Sequence, residues 1–444
     1  MPSAIKRTLE FAAPLAFSRF VQVASTFVLM AYIARLGHEA LAAGGIISSA
    51  QIFINVAIMS PLFVLAPLVG GKCGKNDALG AGNLLQMACI VGLLLSLLLF
   101  VLYNYMGEIE AALHQPTAIL NEITDFFQGA KWGTFALIIN VGAQQFSIGC
   151  RAKKLVAALS VMTLATVAIY GYIFVFGVGS FQGLGIYGAG LAWSAAAWTR
   201  FIVYLVIFSA LPMFKAYQIF QPRIRSWWPA FKTLLKVGGP FAIQMTVDLS
   251  VVFIVANLVG LIGITALGAY QIIMQFGLLL IVPMFGIAEA TSVLVGHAMG
   301  GDNAQEIKTL GFTGVKIGLV LSAIGLLIFG LLPKPLAHVY LNFNSPHALL
   351  IYQQVKWLLG LYALSLGFNA IAENLSGALR GLHDTVFSMI SEILAKWLIL
   401  VPLVIIFAFL LHWQLPGVIF ASVCSNMFLA VMLMLRWRFR CRTL

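Results

Sequence analysis

The stretch PFAIQMTVDLSVVFIVANLVGLIG runs from Pro240 to Gly263 and carries a single charged residue, Asp248. A second stretch of the same length, PLAFSRFVQVASTFVLMAYIARLG, runs from Pro14 to Gly37 and begins 226 positions earlier. Apolar stretches of about 20 residues are long enough to cross a membrane as helices. Self-similarity at a fixed offset indicates duplication, and duplicated apolar halves are typical of secondary transporters.

The repeat continues beyond these two stretches. At the offset of 226, Leu68-Val69-Gly70 matches Leu294-Val295-Gly296. Further along, Arg151 matches Arg380 at an offset of 229, a register that aligns Gln144 with Glu373. The change of offset predicts a segment three residues longer between the second and fourth spans of the second half.

The composition excludes a soluble protein, because 61% of the 444 residues are hydrophobic and only 9% are charged. Backbone that crosses lipid must satisfy its own hydrogen bonds, so the apolar spans are predicted to be helices. Twelve spans are predicted, centred near Phe20, Ala57, Leu95, Leu137, Tyr170, Phe201, Val251, Phe276, Leu321, Tyr362, Leu400 and Val423. The predicted fold is therefore an all-α integral membrane protein with twelve transmembrane helices in two pseudo-symmetric six-helix lobes. We expect residues 1–211 to form one lobe, 212–236 a cytoplasmic linker and 237–444 the other lobe.

The net charge of +12 does not indicate nucleic-acid binding, because the basic residues collect in alternate connections between spans. They are dense in the expected linker and in the last residues, Arg436 to Arg442. This pattern predicts that both termini lie in the cytoplasm. The first apolar stretch lacks a cleavage site and is expected to remain as an anchor. The five cysteines show neither a disulfide framework nor metal-ligand spacing.

Ionisable residues inside apolar spans are costly and are candidates for function. Asp248 lies about two turns into the seventh span, and Glu373 lies in the tenth. A carboxylate in a low-dielectric cavity can take up and release a proton, or hold Na⁺ together with neighbouring oxygens. Asn369, one turn before Glu373, is a possible neutral ligand, and Glu289 in the eighth span is a possible third acid. The alternative is that these residues are structural groups hydrogen-bonded between helices.

Other polar residues have two open interpretations. Glu392 and Lys396 are spaced i to i+4 and are expected to form a structural ion pair. Arg19 and Arg200 are the cations expected within the first-half spans. Residues that either line a substrate cleft or form helix-packing contacts are Gln22, Asn140, Gln144, Tyr270, Gln271, Gln275 and Asn374. Pro14 and Pro240 are predicted to bend their helices, with or without a hinge motion.

Several segments resemble the MATE family of multidrug and toxic compound extrusion transporters, over essentially the full length. The resembling segments are LGHEALAA from Leu36 to Ala43, GITALGAYQI from Gly263 to Ile272, VGHAMG from Val295 to Gly300, and LRG from Leu379 to Gly381. Their order, their duplication and the twelve spans make the resemblance specific.

The resemblance implies two six-helix lobes around a V-shaped cleft, and alternating access. It implies export of small organic, often cationic, compounds in exchange for H⁺ or Na⁺, without a cofactor and as a monomer in the lipid of the bacterial inner membrane. Asp248 matches an acid of the seventh helix in many members. Leu29 stands where many bacterial members have an aspartate in the first helix, and Asn369 stands where many have an acid in the tenth. Glu373, one turn on, is expected to substitute, which locates coupling in the second lobe.

Two other functions compete with this hypothesis. A flippase for lipid-linked oligosaccharides, from the same superfamily, would require a strongly cationic cleft. A polytopic membrane transferase would require an acidic metal cluster or a catalytic histidine, and the seven histidines are scattered. No phosphate-binding loop for ATP or nucleophile elbow is present in the sequence.

Overall fold

The computed structural model describes residues 4–113, 117–221, 227–331 and 346–443, and nearly all of them are helical. The helices of the first half are α1 (Ala4–Ala34), α2 (His38–Met59), α3 (Leu65–Gly74), α4 (Ala78–Asn104), α5 (Met106–Ala112), α6 (Thr117–Ala130), α7 (Thr134–Gly149), α8 (Lys153–Phe176), α9 (Gly185–Ala210) and α10 (Pro212–Lys215). A short antiparallel hairpin, β1 (Gly177–Val178) and β2 (Phe181–Gln182), connects α8 to α9.

The described residues of the second half repeat this arrangement. They form the helices α11 (Trp227–Ile262), α12 (Ile264–Gly300), α13 (Ala304–Leu331), α14 (Pro346–Gly381), α15 (Thr385–Ile393), α16 (Val401–Val404) and α17 (Gln414–Thr443). Two π-helical segments, Leu394–Leu400 and Ile405–Leu410, lie on either side of α16.

The predicted fold class is confirmed. Among the described residues, 11 helical segments are long and apolar enough to cross a membrane, and each contains one predicted span centre. The remaining centre, Leu137, lies in α7, where the predicted fourth span is built from α6, a 3₁₀ turn at Lys131–Gly133, and α7 in succession. At this interruption Gly133 lies directly against Ser194 of α9, where an added Cβ would come within 2.6 Å of the Ser194 Cα.

The chain divides into two compact units whose boundaries differ from the predicted lobes. One, the C-terminal unit, comprises Met1–Ala16 together with Ile243–Leu444; the other, the N-terminal unit, comprises Phe17–Ala242. The boundaries fall two residues after Pro14 in α1 and two residues after Pro240 in α11. At about 1.5 Å per residue, both helices are longer than the hydrocarbon core of a bilayer, so their two ends can belong to different units.

The linker was predicted to run to residue 236, which is too far along the chain. α11 already begins at Trp227, so residues 227–236 are its first turns rather than a connection. Pro229 is compatible with this start, since backbone N–H groups in the first turn of a helix make no hydrogen bond within the helix, and proline lacks that group. Gly238, in the next turn, lies against the Pro61 backbone, where an added Cβ would come within 2.6 Å of the carbonyl oxygen.

The backbone confirms the duplication at the offset of 226. Gly37 and Gly263 precede α2 and α12 with φ of 135° and 144°, a region that favours glycine. Asp77 and Asn303 occupy equivalent turns, and each accepts a hydrogen bond from the backbone N–H three residues on. In the first half the carboxylate also accepts a hydrogen bond from Lys72, which lowers the pKa of Asp77.

The predicted offset of 229 in the fourth and tenth spans is wrong. An added Cβ at Gly149 would come within 2.7 Å of the Ala66 carbonyl oxygen and of Val69; at Gly381 it would come within 2.6 Å of the Ser292 carbonyl oxygen and within 2.9 Å of Val295. Ser292 and Val295 lie 226 positions after Ala66 and Val69, whereas Gly381 lies 232 positions after Gly149. The tertiary contacts therefore align α7 with α14 at 232. Matching similar polar residues along the sequence gave a register one helical turn off.

The close crossing at Gly381 generates a prediction. Gly381→Ala should destabilise the protein by about 1–3 kcal/mol, since the added methyl group meets backbone and a β-branched side chain that have little room to move. Gly360→Ala in the same helix is the matched control, because an added Cβ there has no neighbour within 4 Å. Thermal unfolding of both purified variants in detergent measures the difference. Equal midpoints for the two variants would contradict the close crossing.

Candidate functional site

Five charged side chains form a group inside the C-terminal unit, and we refer to it as the charged cluster. Its members are Asp248 on α11, Glu373 and Arg380 on α14, Glu392 on α15, and Lys396 in the π-helical segment that follows. Lys396 is the shared cation. Its Nζ lies 3.3 Å from Oδ1 of Asp248 and 3.9 Å from Oε1 of Glu392. It also attracts the carboxylate of Glu373 electrostatically.

The cluster has an accessible end and a buried end. The Asp248 side chain is 35% exposed, whereas those of Lys396 and Glu392 are 12% and 9% exposed. Asp248 is therefore the accessible member of the cluster, whereas Lys396 and Glu392 are mostly enclosed by packed helices.

Glu373 has its own cationic neighbour. Arg380 lies two turns further along α14 and places a guanidinium nitrogen 3.8 Å from Oε1 of Glu373. Both side chains are mostly buried. The negative charges of Asp248 and Glu373 also repel one another.

Local structure holds the buried end in place. The Gln244 amide, one turn before Asp248, donates to Ser376 at 3.2 Å and also hydrogen-bonds Glu392. Lys396 lies where the helix after α15 widens into a π-helix. Such irregular turns are rare and often occur at functional sites, because they re-aim a side chain that an α-helix would point elsewhere.

The cluster carries three carboxylates and two permanently basic groups. With every group ionised it lacks one positive charge. Since isolated charge inside a membrane is costly, one further monovalent cation, whether a proton or a larger ion, would complete the balance. The arrangement is therefore suited to binding and releasing one cation.

The N-terminal unit has no such cluster at the equivalent positions. The tertiary contacts align the two halves at an offset of 226 for Asp248 and of 232 for the other four charged residues. At these offsets the counterparts of the five are all uncharged: Gln22, Val141, Ile148, Ser160 and Leu164. The contact between Ser18 and Ser160 corresponds to the contact between Gln244 and Glu392, so the geometry is retained while the charge is not. Gln144 is thus not the counterpart of Glu373. The counterpart is Val141, which is also uncharged, so an acidic residue in the second half still matches a neutral residue in the first.

Two further residues are predicted to bind the cation. Asn369 is half-buried one turn before Glu373 on α14. Glu289 is half-buried on α12, next to the point where Gly377 of α14 meets the Ala288 backbone. Their participation in cation binding stays a prediction.

The residues predicted to line a cleft separate into two groups. Asn140, Gln144, Tyr270 and Asn374 are buried within helix-packing interfaces, which fits the helix-packing interpretation and removes them from an accessible surface. Asn140 donates to the Ala197 carbonyl at 2.8 Å, and Asn374 donates to that of Ala370 at 2.8 Å.

The other group stays accessible. Gln271 and Gln275 are exposed one turn apart on α12, and Gln22 is half-buried on α1. Contact of these three with a substrate stays a prediction. Pro14 and Pro240 lie inside continuous helices, and motion at either proline stays a prediction.

The two first-half cations serve the packing of the N-terminal unit. Arg200 is buried, donates to Gln144 at 2.6 Å and lies over the Tyr204 ring at 5.6 Å. Arg19 lies over the Phe63 ring at 5.8 Å.

Sequence reasoning missed the central role of Lys396. The spacing predicted its ion pair with Glu392, which the structure contains, but not its shorter contact with Asp248, nor the Glu373–Arg380 pair. The charges of the apolar spans contained a usable signal. Lys396 and Glu392 compensate each other within the eleventh span, whereas an acid in another span has no such neighbour and requires a cation from a different helix.

Fold, duplication and an intramembrane charge cluster together define a membrane transporter rather than an enzyme. The sequence model of the MatE family matches residues 14–174 and again residues 240–406. The chain therefore belongs to the MatE family. The two matches begin at Pro14 and Pro240 and end 232 positions apart, in agreement with the tertiary register.

Known proteins of this family are similar over nearly the whole chain. A protein from Rhizobium meliloti described as "Probable multidrug resistance protein NorM" is 28% identical, covering 99% of this chain and 93% of its own. An outward-facing multidrug resistance MATE family transporter of the MOP superfamily superposes with a TM-score of 0.88 at 18% identity, covering 99% and 96% of the two chains. A MOP superfamily transporter from Pyrococcus furiosus, whose binding pocket is described as reversed in polarity, superposes with a TM-score of 0.87 at 19% identity, covering 99% and 96%.

The shared cation generates a stability prediction. Lys396→Met should lower the unfolding free energy by up to about 3–5 kcal/mol, because it leaves mostly buried carboxylates without a counter-charge. Adding Glu392→Gln to the same chain should recover part of this loss, since it removes one of those carboxylates.

Thermal unfolding in detergent at neutral pH measures both effects. Lys316→Met is the matched control, as Lys316 is an exposed lysine on α13 of the same unit. A double variant no more stable than Lys396→Met alone would contradict the shared-cation arrangement.

Proposed function

We propose that this protein is a cation-coupled antiporter that exports organic, often cationic, compounds across the bacterial inner membrane. The coupling cation is H⁺ or Na⁺, and it binds in the C-terminal unit. The observation that carries this proposal is the charged cluster with its deficit of one positive charge. The family and the printed names of its multidrug resistance relatives support the substrate class.

Exchange follows from the charge balance. Either the coupling cation or a cationic substrate at Asp248 supplies the missing positive charge, so each weakens binding of the other. Only a difference in affinity between two conformations converts this competition into transport. Alternating access therefore requires that the coupling cation favour one conformation and the substrate favour the other.

The residues take distinct roles in this mechanism. Asp248 is the accessible group at which exchange occurs, and Glu373 is the second acid, with Asn369 as a neutral ligand and Glu289 as a third acid. Gln22, Gln271 and Gln275 are the accessible polar side chains offered to a substrate. Both termini lie in the cytoplasm, as the distribution of basic residues predicts, and the protein works as a monomer in lipid.

The flippase alternative is less well supported. A pyrophosphate-linked substrate calls for a cationic site, whereas the cluster contains more carboxylates than basic groups. The buried Arg200 is already engaged by Gln144 and Tyr204, so it is not free to hold a phosphate.

Transport in proteoliposomes tests the proposal. A fluorescent organic cation is loaded, and a pH gradient and a Na⁺ gradient are imposed separately. We expect one gradient to drive transport by the wild type, and Asp248→Asn and Glu373→Gln to abolish that dependence because each removes a carboxylate of the cluster.

Glu108→Gln is the control, since Glu108 is an exposed acid on α5 outside the cluster, and it should transport like the wild type. If both cluster variants remain driven by the gradient, coupling lies elsewhere and Glu289 is next to be replaced. If the wild type moves no organic cation under either gradient, the flippase is the function to test.

A further inference from the structure

We propose that Lys396 is a built-in cation that excludes Na⁺ from this site, so that the coupling ion is the proton. The identity of the coupling ion rests on the proposed function, whereas the exclusion of Na⁺ by Lys396 is independent of transport. It assigns a specificity-determining role to a residue whose spacing alone predicts only a structural pair with Glu392.

The position of the ammonium group carries the argument. Lys396 Nζ lies between two carboxylates, 3.3 Å from Asp248 and 3.9 Å from Glu392. A Na⁺ ion that used the same two oxygens would occupy nearly the same space as this ammonium group. Two positive charges so close, in the interior of a membrane protein, repel strongly because little water screens them. Lysine and sodium therefore exclude one another here.

The remaining oxygens do not offer an equivalent site. Glu373 is paired with Arg380, so a sodium ion there would meet a second fixed cation. Within residues 4–113, 117–221, 227–331 and 346–443, no three His, Cys, Asp or Glu side chains converge to hold a metal ion.

A proton escapes this exclusion. It binds to a single carboxylate oxygen, needs no coordination sphere and adds no atom larger than hydrogen. Protonation of Asp248 removes the negative charge that faces Lys396, while the ammonium keeps its ion pair with Glu392. The cluster, short of one positive charge, is then neutral without any displacement of Lys396.

Ionisable groups from several elements face this site. They are Asp248 on α11, Tyr270 on α12, Tyr362, Glu373 and Arg380 on α14, and Glu392 on α15. Among the three carboxylates of the cluster, Asp248 is the most exposed and is therefore the entry for the proton.

Binding of radioactive sodium to the purified full-length protein at alkaline pH tests the proposal without any substrate. We expect no specific binding by the wild type, and specific binding by Lys396→Gln, in which the ammonium is gone and the carboxylates remain. Adding Asp248→Asn to that variant should abolish the binding. Lys396→Arg keeps the charge and should bind no sodium, and Lys316→Gln, on α13 outside the cluster, should behave like the wild type.

The outcomes separate cleanly. Sodium binding by the wild type that Asp248→Asn removes overturns the proposal. A folded Lys396→Gln protein that binds no sodium also overturns it, because something other than Lys396 then excludes the ion. If Lys396→Gln does not fold, the wild type and Lys396→Arg decide: specific binding by either overturns the proposal, and none by both supports it.

Transport is measured separately, in the proteoliposome experiment. A wild type driven by the pH gradient but not by the Na⁺ gradient agrees with the inference. If no organic cation moves under either gradient, the antiporter function fails, while the sodium-binding result still decides whether Lys396 excludes the ion.

Discussion

The need to compensate charge inside a membrane governs the C-terminal unit. Asp248, Glu373 and Glu392 are acids on three different helices, and each would be prohibitively costly alone. Lys396 lies close to two of them and Arg380 to the third, so the positions of α11, α14 and the helix that begins with α15 are interdependent. A change in the charge of one acid therefore affects all three helices.

The two copies of the duplication differ at the positions of the charged cluster. The two halves share glycine turns, polar caps and the tight glycine crossings at Gly149 and Gly381. They differ at the positions of the cluster, where the N-terminal unit has Gln22, Val141, Ile148, Ser160 and Leu164. The first copy thus keeps the architecture with uncharged contacts such as that between Ser18 and Ser160. The second copy uses the same architecture to hold ionisable groups.

The helices were predictable to a large extent because a bilayer allows so few structures. Every predicted span centre falls in a helix, since unpaired backbone in lipid is too costly for any other arrangement. The register of the repeat in the fourth and tenth spans was not predictable in the same way. Polar residues such as Gln144 and Glu373 look alike in sequence, yet they lie on different turns of the equivalent helices. The contact of Gly381 with Ser292 and Val295, which repeats that of Gly149 with Ala66 and Val69, revealed the offset of 232.

The sequence by itself determined the class of protein, the duplicated halves, and Asp248 and Glu373 as intramembrane acids, because hydrophobic length and isolated charges are local properties of a chain. The tertiary structure decided which charges meet. Lys396 and Asp248 are 148 positions apart, and no periodicity relates them. It also decided that Asn140, Gln144, Tyr270 and Asn374 are buried between helices while Gln271 and Gln275 are accessible. The direction in which a polar side chain points is set by which helices pack around it, and that is a property of the whole fold.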